Sequence, residues 1–496
     1  MVAASHYNRP VTAGVRFVFA PFELDPSRRR LTVSGEPVAV SDRHLDVLLL
    51  LVSRAGQIVS KDELLDAAWK DVAVGDNSLE QAVSGLRRTL GTHAGAVSFI
   101  ETAPRRGYRF AVPVTQQAAR QSDAGLDALL APHRAFVEGR SALESLDRDQ
   151  VARARGVFED ALRRVPDHAS AHVGLANACA MQYEMTRTDS EPDRPSLLLA
   201  ATHARDACRL DPEWGEAWAT LGFVLDRTGD VLDARAAAKR AVALEPENWR
   251  HHFRLSLVSW GEQRLAAAHR TLALLPGVPL AHWLEATVYV ARHRLPEAER
   301  ALDTGVASQA PGLGGDPRFT PVALHWLLGL IHLSRGEDAR ALEAFALELS
   351  LEASGHLYAR ESCANTWYAV GALKLRQGRV QEAGAAFQEA LQRVPSHPMA
   401  RVGAAATGVA TAGLDALTAG AASSPAGQRT DAAIARAVYL TLSGAHTEAA
   451  ALVGDALSHA DRENAAWLLP VEPLLHVSAH PDVWARTLVL LRNRAA

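Results

Sequence analysis

The sequence contains very little lysine, and almost all of its basic residues are arginine. Of the 52 lysines and arginines, only the residues at positions 61, 70, 239 and 374 are lysine, so 48 are arginine. No lysine follows a glycine anywhere, whereas a phosphate-binding P-loop needs a Gly-Lys pair whose lysine reaches the terminal phosphates. This absence excludes an ATP-driven regulator of the usual P-loop kind.

Cysteine is also scarce. Cys179, Cys208 and Cys363 are far apart, odd in number, and form no Cys-x-x-Cys pair, which predicts buried reduced thiols. The twenty histidines never form a His-Glu-x-x-His motif, and the adjacent His251 and His252 would point in different directions on a helix. We therefore expect neither a metal site nor a cofactor.

Long apolar segments are missing as well. The longest strongly apolar run, residues 47–52, is far shorter than the roughly 20 residues of a membrane-spanning helix. The N-terminus "MVAASHYNRP" has no apolar core of signal-peptide length. We expect a cytoplasmic protein without a membrane partner. Its 496 residues are too many for one core and predict two to four domains.

The first part of the chain has the pattern of strands, then three helices, then a hairpin. Residues 15–40 read as short strands. A first helix opens at Ser41, a second follows the capping box Ser60-x-x-Glu63, and a third runs from Asn77 to Gly91. Apolar residues recur at helical spacing along the inner face of the third helix, at Leu79, Val83, Leu86 and Leu90.

Two segments in this region have distinctive amino-acid sequences. "DNSLEQAVSGLRRTLG" and "IETAPRRGYRFAVPV" resemble the C-terminal effector domain of bacterial response regulators of the OmpR/PhoB winged-helix type. The resemblance covers about residues 15–115. It implies that a recognition helix, 77–90, enters the major groove of double-stranded DNA, and that a wing, 97–113, reaches an adjacent minor groove or the backbone.

Positive charge is concentrated on those two elements. Residues 1–114 carry 14 Lys/Arg and 12 Asp/Glu, yet residues 85–110 carry five arginines and one acid, Glu101. Exposed Gln and Ser can read base edges, and Arg can neutralise phosphates. The predicted DNA-binding residues are Asn77, Gln81, Ser84, Arg87, Arg88, Arg105, Arg106 and Arg109. Members of this family often have a long basic residue where Gly85 stands, and a glycine contributes no side chain to base reading.

The remaining four-fifths of the chain contains a repeat. Trp218, Gly222, Gly229, Ala234, Ala241 and Pro246 recur with identical spacing as Trp367, Gly371, Gly378, Ala383, Ala390 and Pro395. Small residues let two helices approach closely, and a large Trp or Phe fills the adjoining space. The pattern resembles the tetratricopeptide repeat, which implies a curved solenoid of six to nine helical pairs.

The expected fold class is thus an α+β winged helix-turn-helix domain followed by an all-α, TPR-like superhelical solenoid. We expect a flexible tail at 1–14, the winged-helix domain at 15–115, a linker at 116–130 and the solenoid at 131–496. A solenoid of this kind usually binds a protein or peptide on its concave face. By position in the repeat, the lining residues would be Phe223, Arg227, Trp326, Tyr368 and Arg376.

The leading hypothesis is a DNA-binding transcriptional regulator whose solenoid senses a partner or self-associates. Winged helices of this kind commonly bind as paired copies, which favours a homodimer. A second hypothesis is an interaction scaffold whose winged helix binds protein rather than DNA. An enzyme is a third, but the sequence has no nucleophile elbow, metal-ligand constellation or phosphate loop.

Overall fold

A computed structural model describes residues 15–26, 29–69, 76–94, 97–118, 139, 143, 146–309, 319–408 and 426–496. The predicted tail at 1–14 and residues 119–130 of the predicted linker lie outside the described residues. The described chain comprises a mixed α/β domain followed by stacked helices, in the order expected from the sequence.

The N-terminal domain contains two antiparallel sheets. The strands are β1 (Val15–Phe19), β2 (Phe22–Asp25), β3 (Arg30–Val33), β4 (Glu36–Val38), β5 (Ile58–Val59), β6 (Ile100–Ala103), β7 (Gly107–Phe110) and β8 (Thr115–Ala118). One sheet has the order β4-β3-β2-β1-β8 and the other the order β5-β7-β6. The predicted hairpin between β3 and β4 is present, and its two turn residues, Ser34 and Gly35, both have positive φ.

Strand β8 corrects one predicted boundary. Residues 116–118 were expected to begin the linker, but β8 pairs with β1 from Val15↔Ala118 to Val18↔Thr115. The backbone groups of β1 are thereby satisfied on both sides, since β2 pairs with its other edge. The chain therefore returns to the first sheet after the wing, before it leaves for the helical region.

Three helices pack between these sheets: α1 (Asp42–Ser53), α2 (Lys61–Trp69) and α3 (Asp76–Ala94). The predicted capping box is confirmed, because the Ser60 amide donates to Glu63 Oε2 at 3.0 Å and the Glu63 amide donates to Ser60 Oγ at 3.2 Å. Hydrogen bonds from Arg54 and Ser60 lower the pKa of Glu63 to about 2. Helix α3 continues beyond Gly91, where we expected it to end.

The inner face of α3 belongs to one apolar core with the strands. Leu79, Val83, Leu86 and Leu90 are all buried, as predicted. At the far side of this core, the rings of Phe19, Phe22, Phe99 and Phe110 pack against one another, with centroids 5.0 to 6.2 Å apart.

The C-terminal region is built from helices in sequence-adjacent antiparallel pairs. They are α4 (Arg148–Arg164), α5 (Ala169–Thr186), α6 (Arg194–Leu210), α7 (Gly215–Thr228), α8 (Val231–Leu244), α9 (Trp249–Val258), α10 (Gly261–Leu274), α11 (Pro279–Ala291), α12 (Leu295–Ala307), α13 (Leu324–Ser334), α14 (Asp338–Ser350), α15 (Ala359–Arg376), α16 (Val380–Arg393), α17 (Pro398–Ala406), α18 (Ala426–Leu442), α19 (His446–Ser458) and α20 (Pro481–Arg494).

The repeated glycines explain how these pairs fit together. A Cβ added at Gly371 on α15 would lie 2.6 Å from the ring of Phe387 on α16, and one at Gly403 on α17 would lie 2.5 Å from the same ring. The fully buried Phe387 thus fills the space left by glycines of two neighbouring helices. Phe158 has the same relation to Gly139 and Gly174. The predicted tetratricopeptide packing is confirmed.

The solenoid curves until distant repeats touch. Asp147, just before α4, forms an isolated antiparallel bridge with His356, just before α15. The Tyr358 hydroxyl donates to Glu184 Oε2 at 3.0 Å, and Arg462, after α19, lies 3.6 Å from Asp226 on α7. The helices consequently enclose an interior space.

The structure bears on the predictions for the cysteines and for membrane-spanning segments. Cys179, Cys208 and Cys363 are buried free thiols, and burial raises the pKa of each. Among the described residues, no helix combines the length and the apolar character needed to cross a membrane.

Candidate nucleic-acid interface

Helix α3 presents a polar stripe on the side opposite its buried face. Gln81, Ser84 and Arg88 are exposed, and their spacing of three and four residues places them side by side. Among the described residues, no carboxylate pairs with Arg88. Asn77 belongs to the first turn of α3, but its side chain lies outside the described residues. The stripe therefore offers an amide, a hydroxyl and an uncompensated guanidinium.

Gly85 is not part of this stripe. A Cβ at this position would lie 2.8 Å from Cε1 of His44, on α1. The glycine therefore lets α1 and α3 approach each other, and its missing side chain says little about base reading. Burial, together with neighbouring Arg43, lowers the pKa of His44, which keeps this ring neutral between the helices.

Arg87 connects α3 to the wing. Its Nε donates to the Ile100 carbonyl oxygen at 3.0 Å, and its Nη2 donates to Thr102 Oγ1 at 2.8 Å. Its guanidinium also lies over the Tyr108 ring, 5.9 Å from the centroid. Sequence reasoning placed Arg87 among the DNA contacts, whereas these bonds engage it within the domain and fix the wing relative to α3.

The tip of the wing carries two unpaired cations. Arg105 and Arg106 are exposed, and the Arg106 amide donates to the Ala103 carbonyl at 2.9 Å to close the turn. In the part of the chain that the structure describes, neither guanidinium has a carboxylate partner. Arg105 adopts φ +64°, a conformation that non-glycine residues rarely adopt. The turn therefore holds both arginines at its outer end.

Arg109 differs from its neighbours because it already has a partner. It stands directly opposite Glu101 across the β6–β7 pair, and its guanidinium forms an ion pair with that carboxylate. Both side chains are about half exposed, so the pair is open to solvent and weak. Counting partners among the residues that the structure describes, the five arginines of residues 85–110 therefore divide into three without one and two with one.

The winged-helix domain touches the solenoid through α1. Arg43 Nη1 lies 2.5 Å from Glu245 Oε1, and its guanidinium lies between the rings of Trp69 and Trp214, 5.7 and 5.3 Å from their centroids. Burial opposes ionisation of Glu245, but Arg43 and His251 outweigh it and hold its pKa well below the ordinary value.

This contact leaves the polar stripe of α3 uncovered. Arg43 is only 15% exposed, whereas Gln81, Ser84, Arg88 and the arginines of the wing tip are exposed. The solenoid therefore docks on a different side of the domain from the one that carries the predicted DNA contacts.

The predicted partner-binding residues divide into two groups. Phe223, Arg227 and Trp326 line a cavity of about 1570 Å³ enclosed by the solenoid. Tyr368 and Arg376 do not line it, which corrects that part of the prediction. Tyr368 is 5% exposed and its hydroxyl donates to Glu472, while Arg376 lies elsewhere and pairs with Asp338.

One group of possible metal ligands occurs among the described residues. His172, His203 and Asp206 have potential ligand atoms within 4.8 Å of one another. His172 Nδ1 lies 2.8 Å from His203 Nδ1, and His172 Nε2 lies 2.8 Å from the Pro166 carbonyl oxygen. These are hydrogen-bond distances, and a neutral pair in which one ring donates to the other accounts for them.

Sequence reasoning missed two further basic residues of the cavity wall, Arg250 and Arg254. On α9, Trp249 and Phe253 are four residues apart, and so are Arg250 and Arg254, so the two rings share one helix face and the two cations share the adjoining one. All four side chains line the cavity. This spacing is visible in the sequence. The alanine-glycine pattern of the repeat drew attention to packing instead.

Comparison with known proteins agrees with both halves of the fold. Residues 35–110 match the family model of the transcriptional regulatory protein, C-terminal domain. Residues 140–187, 220–275, 284–356 and 353–398 match the tetratricopeptide repeat. The chain therefore carries an OmpR/PhoB-type winged-helix domain followed by tetratricopeptide repeats, and neither matched family is a catalytic one.

Individual relatives share the winged-helix part. The chain is 37% identical over 109 residues to the transcriptional regulator HilA of Salmonella typhimurium, which covers 22% of this chain and 19% of that protein. It is 32% identical over 92 residues to the transcriptional activator CadC of Escherichia coli, which covers 18% of each. The solved DNA-binding domain of E. coli CadC is 27% identical, with a TM-score of 0.20, over 21% of this chain and 100% of that one. The chain thus matches about a fifth of the length of these curated relatives.

Proposed function

We propose that the chain is a DNA-binding transcriptional regulator whose recognition helix, α3, lies in the major groove of double-stranded DNA. One observation carries the proposal. Arg88, Arg105 and Arg106 are exposed cations that pair with no carboxylate in the described part of the chain, on two elements that Arg87 fixes to each other. Such a pair of elements can follow the phosphates on either side of a groove.

Roles follow from the surroundings of each side chain. Arg88, Arg105 and Arg106 neutralise phosphates, which supplies affinity without regard to sequence. Gln81 and Ser84 face the base edges, where an amide can donate and accept at once. Asn77, at the start of α3, joins them.

The two arginines with internal partners act differently. Arg87 keeps the wing at a fixed position relative to α3, so it is a positioning residue. Arg109 contacts a phosphate only after its ion pair with Glu101 is broken. Because that pair is exposed and weak, breaking it costs little free energy.

The solenoid is proposed as the input module. Its repeats bind a protein or peptide partner, bring two copies of the chain together on paired DNA sites, or do both. Arg43 on α1 and Glu245 of the solenoid form a direct contact between the two domains. Through this contact, binding of a partner to the solenoid can affect the DNA-binding domain. The proposed activity is regulatory rather than catalytic. Because its proposed target is chromosomal DNA, we place the protein in the bacterial cytoplasm. The relatives that share the winged helix are named as transcriptional activators and regulators, which supports this.

The test is selection of duplexes by the purified full chain from a random-sequence library, repeated with a Gln81→Ala/Ser84→Ala variant. We expect one enriched motif for the wild type and a degenerate motif for the variant, since base-reading groups are lost while phosphate contacts remain. Retention of no duplex at low salt would contradict the proposal and favour a winged helix that binds protein.

A further inference from the structure

The cavity inside the solenoid is lined by aromatic rings and charged side chains. Five tryptophans contribute to its wall, at positions 249, 260, 283, 326 and 467. Its volume of about 1570 Å³ exceeds the range of about 300 to 1,000 Å³ that is usual for small-molecule pockets. A ligand of nucleotide size therefore fits inside it.

Arg254, on α9, is the least compensated cation of this wall. Its guanidinium lies over the Phe223 ring, 4.2 Å from the centroid, and its Nη2 donates to Asn177 Oδ1 at 2.8 Å. Its Nη1 is buried and has no hydrogen-bond partner among the described residues. No described carboxylate lies within ion-pair distance of it. Arg227, whose guanidinium lies 4.7 Å from the centroid of the same ring, is instead paired with Glu184 and Asp226.

Three further unsatisfied atoms of the lining are donor nitrogens. Trp260 Nε1, Trp283 Nε1 and Arg235 Nε are buried without an acceptor in the described part of the chain. None of these nitrogens can accept a hydrogen bond, so only a molecule that brings acceptors can satisfy them. A buried polar group left without a partner costs about 1 to 3 kcal/mol.

Most of the acids that line the cavity are already engaged. Glu361 pairs with Arg187, and Glu463 pairs with Arg235 through a nitrogen other than Nε. Glu472 accepts from the Tyr368 hydroxyl, and burial raises its pKa to about 7. Glu216, another acid of the lining, raises the pKa of Arg254 through its charge but forms no ion pair with it, and burial outweighs this effect.

Electrostatics agree with an incomplete site. Burial lowers the pKa of Arg254, and burial lowers the pKa of Arg264 to about 9. Arg264 lies over the Trp260 ring and donates to the carbonyl oxygens of Ser256 and Ser259, which are neutral acceptors. Two guanidiniums are thus held in the interior, and no carboxylate of the described segments is bonded to either.

We infer that the solenoid cavity binds an organic anion, whose carboxylate or phosphate group is held by Arg254 and whose apolar body lies against the aromatic wall. Guanidinium favours both anionic groups because its planar set of donors matches their oxygens. This inference concerns the cavity alone and stands independently of DNA binding.

The test is isothermal titration calorimetry of the full chain, without DNA, against four probes. Adenosine 5′-monophosphate and phenylacetate carry the two anionic groups, and adenosine and phenylacetamide are their neutral counterparts. We expect at least one anionic probe to bind and its neutral counterpart to bind at least tenfold more weakly. Binding of only one anionic probe shows which of the two combinations of anionic group and ring body the cavity accepts.

Two variants locate the site. Arg254→Gln should weaken anion binding by about 30-fold or more, because the charge that holds the anion is gone. Arg300→Gln, which changes an exposed arginine on α12, should bind as the wild type does. Arg254→Gln should also match or exceed the wild type in melting temperature without ligand, since it removes an uncompensated buried charge. Equal binding by Arg254→Gln and the wild type, or no binding of either anionic probe, would overturn the inference.

Discussion

Replacing Gly107 with alanine should detach the wing from the rest of the winged-helix domain. Gly107 is buried at the start of β7 and has φ +131°. A Cβ there would lie 2.0 Å from the Val59 carbonyl oxygen and 2.9 Å from the Ser60 Cα, both backbone atoms of the neighbouring strand region. No side-chain movement can relieve such an overlap, so β7 must move away from β5.

The size of the effect follows from two terms. A non-glycine residue in a disfavoured backbone conformation costs about 1 to 3 kcal/mol. Insertion of a methyl group into a closely packed site costs a further 1 to 3 kcal/mol or so. The expected loss is therefore about 2 to 6 kcal/mol, a large part of the roughly 5 to 15 kcal/mol that stabilises a typical domain.

Amide hydrogen exchange in the full chain measures this loss locally. We expect the amides of β6 and β7 to lose protection in Gly107→Ala, while the amides of the solenoid keep theirs. Gly91→Ala is the matched control, because a Cβ there has open space within α3 and alanine favours a helix by about 1 kcal/mol. Wild-type protection of β6 and β7 in Gly107→Ala would refute the reasoning.

Three further predictions concern the solenoid and its contact with the first domain. Arg43→Ala should destabilise the docked arrangement by about 3 kcal/mol, because it leaves Glu245 buried without its cation. A double-mutant cycle with Glu245→Gln, measured by urea denaturation, should give a clear coupling energy, and zero coupling would contradict the contact. Gly371→Ala should lower the free energy of unfolding by about 1 to 3 kcal/mol through overlap with Phe387. Adding Phe387→Leu to the same chain should recover part of this stability. An unchanged melting temperature for the single variant would contradict this packing. The pKa of Glu472 is raised from 4.5 to about 7, so between these pH values the folded state retains a proton that the unfolded state releases, and the free energy of unfolding falls as pH rises. Glu472→Gln should flatten this pH dependence of stability between pH 4.5 and 7. A stability profile identical to that of the wild type would exclude this assignment.

Local features of the fold were well predicted from the sequence because local interactions determine them. The capping box at Ser60 and Glu63 needs only a spacing of three residues, and the inner face of α3 needs only helical periodicity. The repeat was also predictable, because close packing of helices demands a small residue at fixed positions: Gly371 lies opposite the Phe387 ring, and Gly222 lies opposite Ala238.

Features that depend on distant contacts were not predictable in this way. Closure of the solenoid brings Asp147 to His356, and it results from a small rotation at each repeat that the repeat sequence does not reveal. The close approach of Gly85 to His44 was not predicted because His44 lies on another helix. The internal partners of Arg87 come from the wing and were missed for the same reason.

The measurement that most directly tests the proposed function is binding of the full chain to mixed-sequence duplex DNA over a salt series, beside an Arg105→Ala/Arg106→Ala variant. Phosphate contacts release counterions, so wild-type affinity should fall steeply with salt. The variant should bind more weakly, with a slope shallower by up to about 2, one for each lost contact. Equal affinities and equal slopes would show that the wing tip does not touch DNA, and absence of binding by both proteins at low salt would contradict DNA binding altogether.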